Sequence, residues 1–253
     1  MTVDNQIKSI QKMDAILSAI LRLDGATLNE LQNEVELSRS SVHNYLQTME
    51  GLGYVQKQES GYHVDIGLLR FGGCARKQYS LYEEGKPVID ELSHKINESC
   101  ILSTWRNNSR VILYRSDGKG AIVTDVYVGK KEPFHHSASG KAIVASFDNE
   151  LIETVLEQTH LTQRTSNTFT TKDELREELK KIREQGFAVN DEERIKGMRA
   201  VAAPVLDRRN NKVLGAVSIA GPVTRLDMET IMDNYSNTVK RHSEMVEVQS
   251  TYR

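Results

Sequence analysis

Three apolar stripes at helical spacing, each with its own cap or terminating glycine, are followed by two β-prone runs within the first 66 residues. Short capped helices in that order admit few packings, so this stretch constrains the fold more than any other part of the chain. Ile7, Ile10, Met13, Ile16, Leu17, Ile20 and Leu21 recur at three- and four-residue steps, which predicts a first helix ended by Gly25. Thr27-Leu-Asn-Glu30 has the spacing of a capping box, where the threonine oxygen accepts from the third helical N–H and the glutamate reaches back to the cap. It opens a short second helix that buries Leu28, Leu31 and Val35. Ser38 caps a third, with Val42, Leu46, Met49 and Leu52 inward and Gly51 or Gly53 at its end. Tyr54-Val55 and Tyr62-His63-Val64 flank the polar stretch Lys57 to Gly61 and read as a hairpin.

That order predicts a winged helix-turn-helix over residues 1–66, a DNA-binding domain. With Val42, Leu46 and Met49 inward, the third helix presents Arg39, Ser40, Ser41, His43, Asn44 and Gln47 on its outer side, groups able to meet phosphates or base edges. Lys57, in the wing, is a candidate phosphate contact. Residues 1–77 hold eight Lys and Arg against nine Asp and Glu, and the whole chain has a net charge of −2. Non-specific attraction to DNA is therefore weak, and binding must come from fitted contacts and from two copies acting together.

With 253 residues the chain is long enough for two domains. Residues 67–97 read as a linker with a connecting helix, capped by Ser80-Leu-Tyr-Glu83, striped by Leu81, Val88, Ile89, Leu92 and Ile96, with Pro87 near its start. Past it the period changes. Cys100 to Trp105, Val111 to Arg115 and Ile122 to Val128 are β-prone runs between turn clusters. Helices follow at about 139–146, 148–157 and 172–185, strands at 187–190, 201–206 and 213–219, and a terminal helix from about 225 to 248. The reading is an α+β multi-domain protein whose second domain, 98–253, has a largely antiparallel sheet flanked by helices. Apolar runs such as Ala142 to Ala145 and Val201 to Ala203 fall far short of the ~20 residues of a membrane helix, and the polar start Met1 to Ser9 is no signal peptide. The expectation is a cytoplasmic protein with no membrane partner, whose Cys74 and Cys100 are ordinary thiols.

Four stretches carry a resemblance that runs nearly end to end: Ser38 to Val55 (SRSSVHNYLQTMEGLGYV), His135 to Ala145 (HHSASGKAIVA), Gly186 to Val205 (GFAVNDEERIKGMRAVAAPV) and Gly215 to Pro222 (GAVSIAGP). On them the chain resembles the IclR family of transcription regulators. The resemblance implies a homodimer or tetramer that binds a double-stranded DNA operator and holds a small-molecule effector in a GAF-like C-terminal domain. Carried over, the effector positions are Ser139, Gly140, Asp191, Ala200, Ser218 and Ala220. Family members often have Cys where Ala200 stands and Ser where Ala220 stands. Strand alternation independently puts Ala216, Ser218 and Ala220 on one face, with Ala200 and Ala202 on a similar small face of the preceding strand. Such a face leaves room for a ligand or for a closely packed helix.

Other motifs point away from catalysis. Ser139-Gly140-Lys141 at a helix start is suited to an anion, but His135 stands where a P-loop needs glycine and Ala142 follows the lysine. Gly215 and Gly221 stand three residues from Ser218, not the two of a nucleophile elbow. His135 and His136, read as a strand end, point to opposite faces and cannot share a metal, and Asp191-Glu192-Glu193 has no partnered nucleophile. The sequence thus predicts no cofactor, no metal and no enzyme, with a small organic acid as effector. The alternative is a metabolic enzyme on the C-terminal domain, with the winged helix used for protein contacts.

Overall fold

The computed structural model describes residues 7–122 and 124–251. The chain forms two compact units, divided between Ala75 and Arg76. In the first, α1 (Lys8–Arg22), α2 (Leu28–Glu34) and α3 (Arg39–Gly51) precede the hairpin β1 (Val55–Gln58) and β2 (Gly61–Val64). The Thr27 box is formed on both sides, and Ser38 accepts from the Ser41 N–H to start α3. Ile16, Ile20, Leu31, Val42, Leu46, Met49, Val55 and Tyr62 close one core. Gly61 has φ +131°, and a Cβ there would stand 2.5 Å from the Ala26 carbonyl oxygen, so the wing needs glycine at this turn.

The core is narrower than the sequence stripe. Ile7, Ile10, Leu21 and Leu52 are exposed, because the small unit offers no further apolar surface to cover them. A helix that the sequence pattern did not reveal, α4 (Leu69–Lys77), follows a 3₁₀ turn at Ile66–Leu68.

In the second unit, α5 (Ser80–Ile96) is followed by β3 (Ser99–Arg106), β4 (Ser109–Asp117), β5 (Lys131–Glu132), α6 (Ala138–Ala145), α7 (Asn149–Gln158), α8 (Lys172–Gln185), β6 (Ala188–Asp191), β7 (Met198–Asp207) and β8 (Lys212–Pro222). The last segment comprises α9 (Met228–Thr230), a π-helical turn at Ile231–Tyr235 and α10 (Ser236–Thr251). The strands form one six-stranded antiparallel sheet in the order β5-β4-β3-β8-β7-β6. One face packs on α5 and α10 through Leu81, Ile89, Leu92, Val217, Ile219, Val239 and Val246. The other takes Ala142, Ile143, Leu175 and Leu179 of α6 and α8 against Ala202 and Ala216.

Three expectations are corrected here. Tyr79, without a side-chain bond, caps α5 in place of Ser80, because α4 ends only two residues earlier and the Tyr79 carbonyl already accepts the Tyr82 N–H. Residues 122–128 form no strand among the described residues: the Ile122 and Val126 carbonyls accept from the Arg115 guanidinium rather than from a neighbouring strand. Regular pairing with β4 begins only at Lys131. His135 and His136 sit in a turn before α6, not at a strand end, with ring centroids 4.7 Å apart. The face of α5 read as a connector is fully covered: Leu81, Val88 and Leu92 are buried in the sheet's own core.

Candidate functional site

On the outer side of α3, Arg39, Ser40, His43, Asn44 and Gln47 are exposed, while Ser41 is half-buried with its hydroxyl 2.9 Å from that of Ser38. The α3 core side carries Val42, Leu46 and Met49, so periodicity alone turns the polar set outward. Arg39 donates to the Asn29 side chain of α2, which ties the start of the outward face to the preceding helix. Lys57 is exposed on β1, its ammonium 6.0 Å from the centre of the Tyr62 ring.

A cavity lies in the second unit, between the sheet and the start of α6. Apolar wall comes from Ile101, Ile122, Val126, Ala138, Ile195 and Met198, and polar wall from Ser99, Ser137, His136, Asn190 and three arginines, Arg110, Arg194 and Arg199. Of the residues expected at an effector site, Ser139, Ala200, Ser218 and Ala220 line this cavity. They meet because β3, β8 and β7 are adjacent: Ala220 faces Ser99 and Ala200 in register, and Ser218 faces Ile101 and Ala202. The small face is thus divided, Ala202 and Ala216 packing under α6 and Ala200, Ser218 and Ala220 facing the space.

Gly140 and Asp191 do not line it. The Gly140 N–H donates to Ser137 Oγ at 3.1 Å, and a Cβ at Gly140 would come 2.6 Å from Phe134 Cα, so this glycine serves close packing at the start of α6. Asp191 accepts from Arg199 Nε at 2.6 Å and so holds one of the wall arginines from outside. Lys141 turns away as well. Its fully buried ammonium lies 2.6 Å from Glu193 and 3.3 Å from Glu178.

The arginines carry the charge of the site. Arg110, buried, donates to Ser139 Oγ at 3.0 Å and to Glu132 at 2.8 Å, and its Nε has no partner in the structure. Arg194 bridges Glu132 at 2.7 Å and Asp125 at 2.6 Å, and Lys130 also reaches Asp125 at 2.6 Å. Burial alone raises the Glu132 carboxyl, but Arg110, Arg194 and Lys130 outweigh it and hold Glu132 below the usual carboxylate range. Burial also pushes the His136 imidazole down to about 4, so it is neutral at physiological pH. The arginines and His136 escaped the sequence reading as cavity residues because they come from β4, a turn, the β6–β7 connection and β7, with no shared motif. The run Asp191 to Arg199, which carries two of them, was the one available signal.

A helix-turn-helix whose third helix presents an exposed polar face defines the class of DNA-binding regulators. The description "Bacterial transcriptional regulator IclR C-terminal" matches residues 75–248, and "IclR helix-turn-helix domain" matches residues 9–59. A Halobacterium salinarum protein named as a probable HTH-type transcriptional regulator, ArcR, is 31% identical over 247 residues, covering 96% of this chain and 94% of its own. The chain belongs to the IclR family of transcriptional regulators. Its fold matches that of IclR from Thermotoga maritima at TM-score 0.78, with 24% identity and 98% and 100% of the two chains covered. It also matches an IclR homologue from Microbacterium hydrocarbonoxydans in complex with 4-hydroxybenzoate, at TM-score 0.77, 19% identity and 95% and 100% coverage.

Proposed function

We propose that this regulator reads its operator through Arg39, Ser40, Ser41, His43, Asn44, Gln47 and Lys57, and that a small organic monocarboxylate in the arginine-lined cavity controls it. Ser139, Ala200, Ser218 and Ala220 contact that effector directly, while Gly140 and Asp191 shape the site from behind. The carrying observation is a charge imbalance: Arg110, Lys130 and Arg194 share the two carboxylates Glu132 and Asp125, while Arg199 is paired separately with Asp191, which leaves one positive charge for a ligand. A single carboxylate compensates it, and the surrounding alanines, isoleucines and Met198 suit an apolar body. The protein acts in the cytoplasm as a homodimer or tetramer with a GAF-like sensor, and it turns nothing over. Of Asp191 and Lys141, the residues the enzyme alternative would use, Lys141 is buried against Glu193 away from the cavity and Asp191 is paired with Arg199.

Calorimetry with benzoate, 4-hydroxybenzoate, glyoxylate and the uncharged benzamide tests the ligand class, and gel shifts with and without the best acid test control of operator binding. The expected result is binding of the two aromatic acids, at least tenfold weaker binding of benzamide and glyoxylate, and loss of binding in Ala220→Trp. Equal binding of benzamide and benzoate rejects the carboxylate. Unchanged acid binding in Ala220→Trp rejects the cavity.

A further inference from the structure

The segment Thr124–Lys130 joins the cavity wall to solvent. Thr124 and Val126 face the cavity, whereas the Tyr127 and Val128 side chains are exposed. At its far end the segment is anchored by main-chain bonds, Gly129 N–H to the Ile112 carbonyl at 2.9 Å and Ile112 N–H to the Lys130 carbonyl at 3.1 Å. Among the described residues no main-chain bond ties Thr124, Asp125 or Val126 to a strand. Side chains hold them instead. Arg115 donates to Thr124 Oγ1 at 2.9 Å and to the Val126 carbonyl at 2.8 Å, and Asp125 accepts at 2.6 Å from Arg194 as well as from Lys130 within the segment itself.

The second tether has an unusual position. Arg194 belongs to the cavity wall and divides its guanidinium between Glu132, whose side chain is 5% exposed, and Asp125, whose side chain is 58% exposed. A cation that faces the cavity therefore fastens a carboxylate that faces water. An anion crossing from water into the cavity passes this pair, which opens to admit it and closes behind it, so passage of a ligand and movement of the segment are linked through one residue.

We propose that Thr124–Lys130 is the gate of the cavity, latched by Asp125 on Arg194. The proposal rests on the cavity being the effector site. The gate sets how fast a ligand enters and leaves more than how tightly it binds, because the latch is broken and remade in each passage.

Hydrogen exchange on the full-length protein without ligand tests the latch directly. An exposed ion pair of this kind holds its closed state by about a factor of five, so Asp125→Asn should speed amide exchange in 124–130 about fivefold. Exchange in β3 and β8 should not change, and Asp125→Glu should restore the wild-type rate. With benzoate as the probe, stopped-flow association and dissociation should both rise about fivefold in Asp125→Asn, with Kd within twofold of wild type. Unchanged exchange in 124–130, or an increase spread equally over β3 and β8, overturns the gate. Failure of benzoate to bind either protein strikes the ligand class instead, and the exchange result still decides the latch.

Discussion

Lys141 is a charge buried to 0% exposure, and it is kept there by Glu193, Glu178 and the Phe169 ring 4.8 Å below its ammonium. Glu193 has one oxygen without a partner, and burial holds its carboxyl above the usual range. Removing the lysine strands that carboxylate, so Lys141→Met should destabilise the protein by about 3–5 kcal/mol. A Lys141→Met, Glu193→Leu double variant should recover most of it; urea titrations of both, with equal losses, would refute the pairing. His136 carries the pH dependence. Burial lowers its pKa from the ordinary value near 6.5 to about 4, with the neighbouring His135 adding to the shift. Below pH 6.5 the unfolded chain takes up a proton that the native site resists, so this stability is present above pH 6.5 and is lost as pH falls towards 4. The loss between pH 7.5 and pH 5 should be about 2 kcal/mol. His136→Gln should remove this loss, and any slope that remains reports His135, which burial lowers in the same direction. Denaturation midpoints that are flat over this range would contradict the assignment.

At the scale of elements, α2, α3, α7 and α8 were readable because each carries its own start signal. The Thr27 box, the Ser38 cap, and Asp148 and Thr171 before α7 and α8 all bond as their spacing demands. Signals of this kind act within four residues and need no tertiary partner. Where an element depends on a partner, local reading failed: 122–128 is rich in β-formers but its carbonyls are taken by Arg115, and Ser80 has a cap's spacing in a place where α4 leaves no room. The outward face of α3 yields a sharp expectation for operator binding. An Arg39→Ala, Asn44→Ala double variant should lose about 1–3 kcal/mol per base contact and relax specificity there. Lys57→Ala should weaken all sequences alike and lower the salt slope by about one. Equal operator affinity for wild type and the double variant would remove α3 as the reading element.

For the whole molecule, the balance of eight basic against nine acidic residues in 1–77 leaves a single DNA-binding unit with little general attraction to phosphate. In the proposed dimer two units on two half-sites would compensate, so complex formation should rise steeply with protein concentration. The apolar Ile7, Ile10 and Leu21 left exposed on α1 are consistent with such pairing. Sedimentation alongside gel shifts checks this; a stable monomer that binds one half-site at full affinity would contradict it.

The sequence by itself determined most of the segments that become helices and strands, the outward polar face of α3 and the small-residue face of β7 and β8, because spacing and capping act over a few residues. It also held the four stretches that mark the family. Only the tertiary structure decided where the charge of the cavity lies. Arg110 and Arg194 are 84 positions apart, and what joins them is Glu132, buried between them by the pairing of β5 with β4. Gly140 and Lys141, one and two positions past the cavity residue Ser139, are turned from the space by the helical period of α6. Periodicity states that neighbours on a helix diverge, but which of them meets a cavity depends on the sheet packed against it.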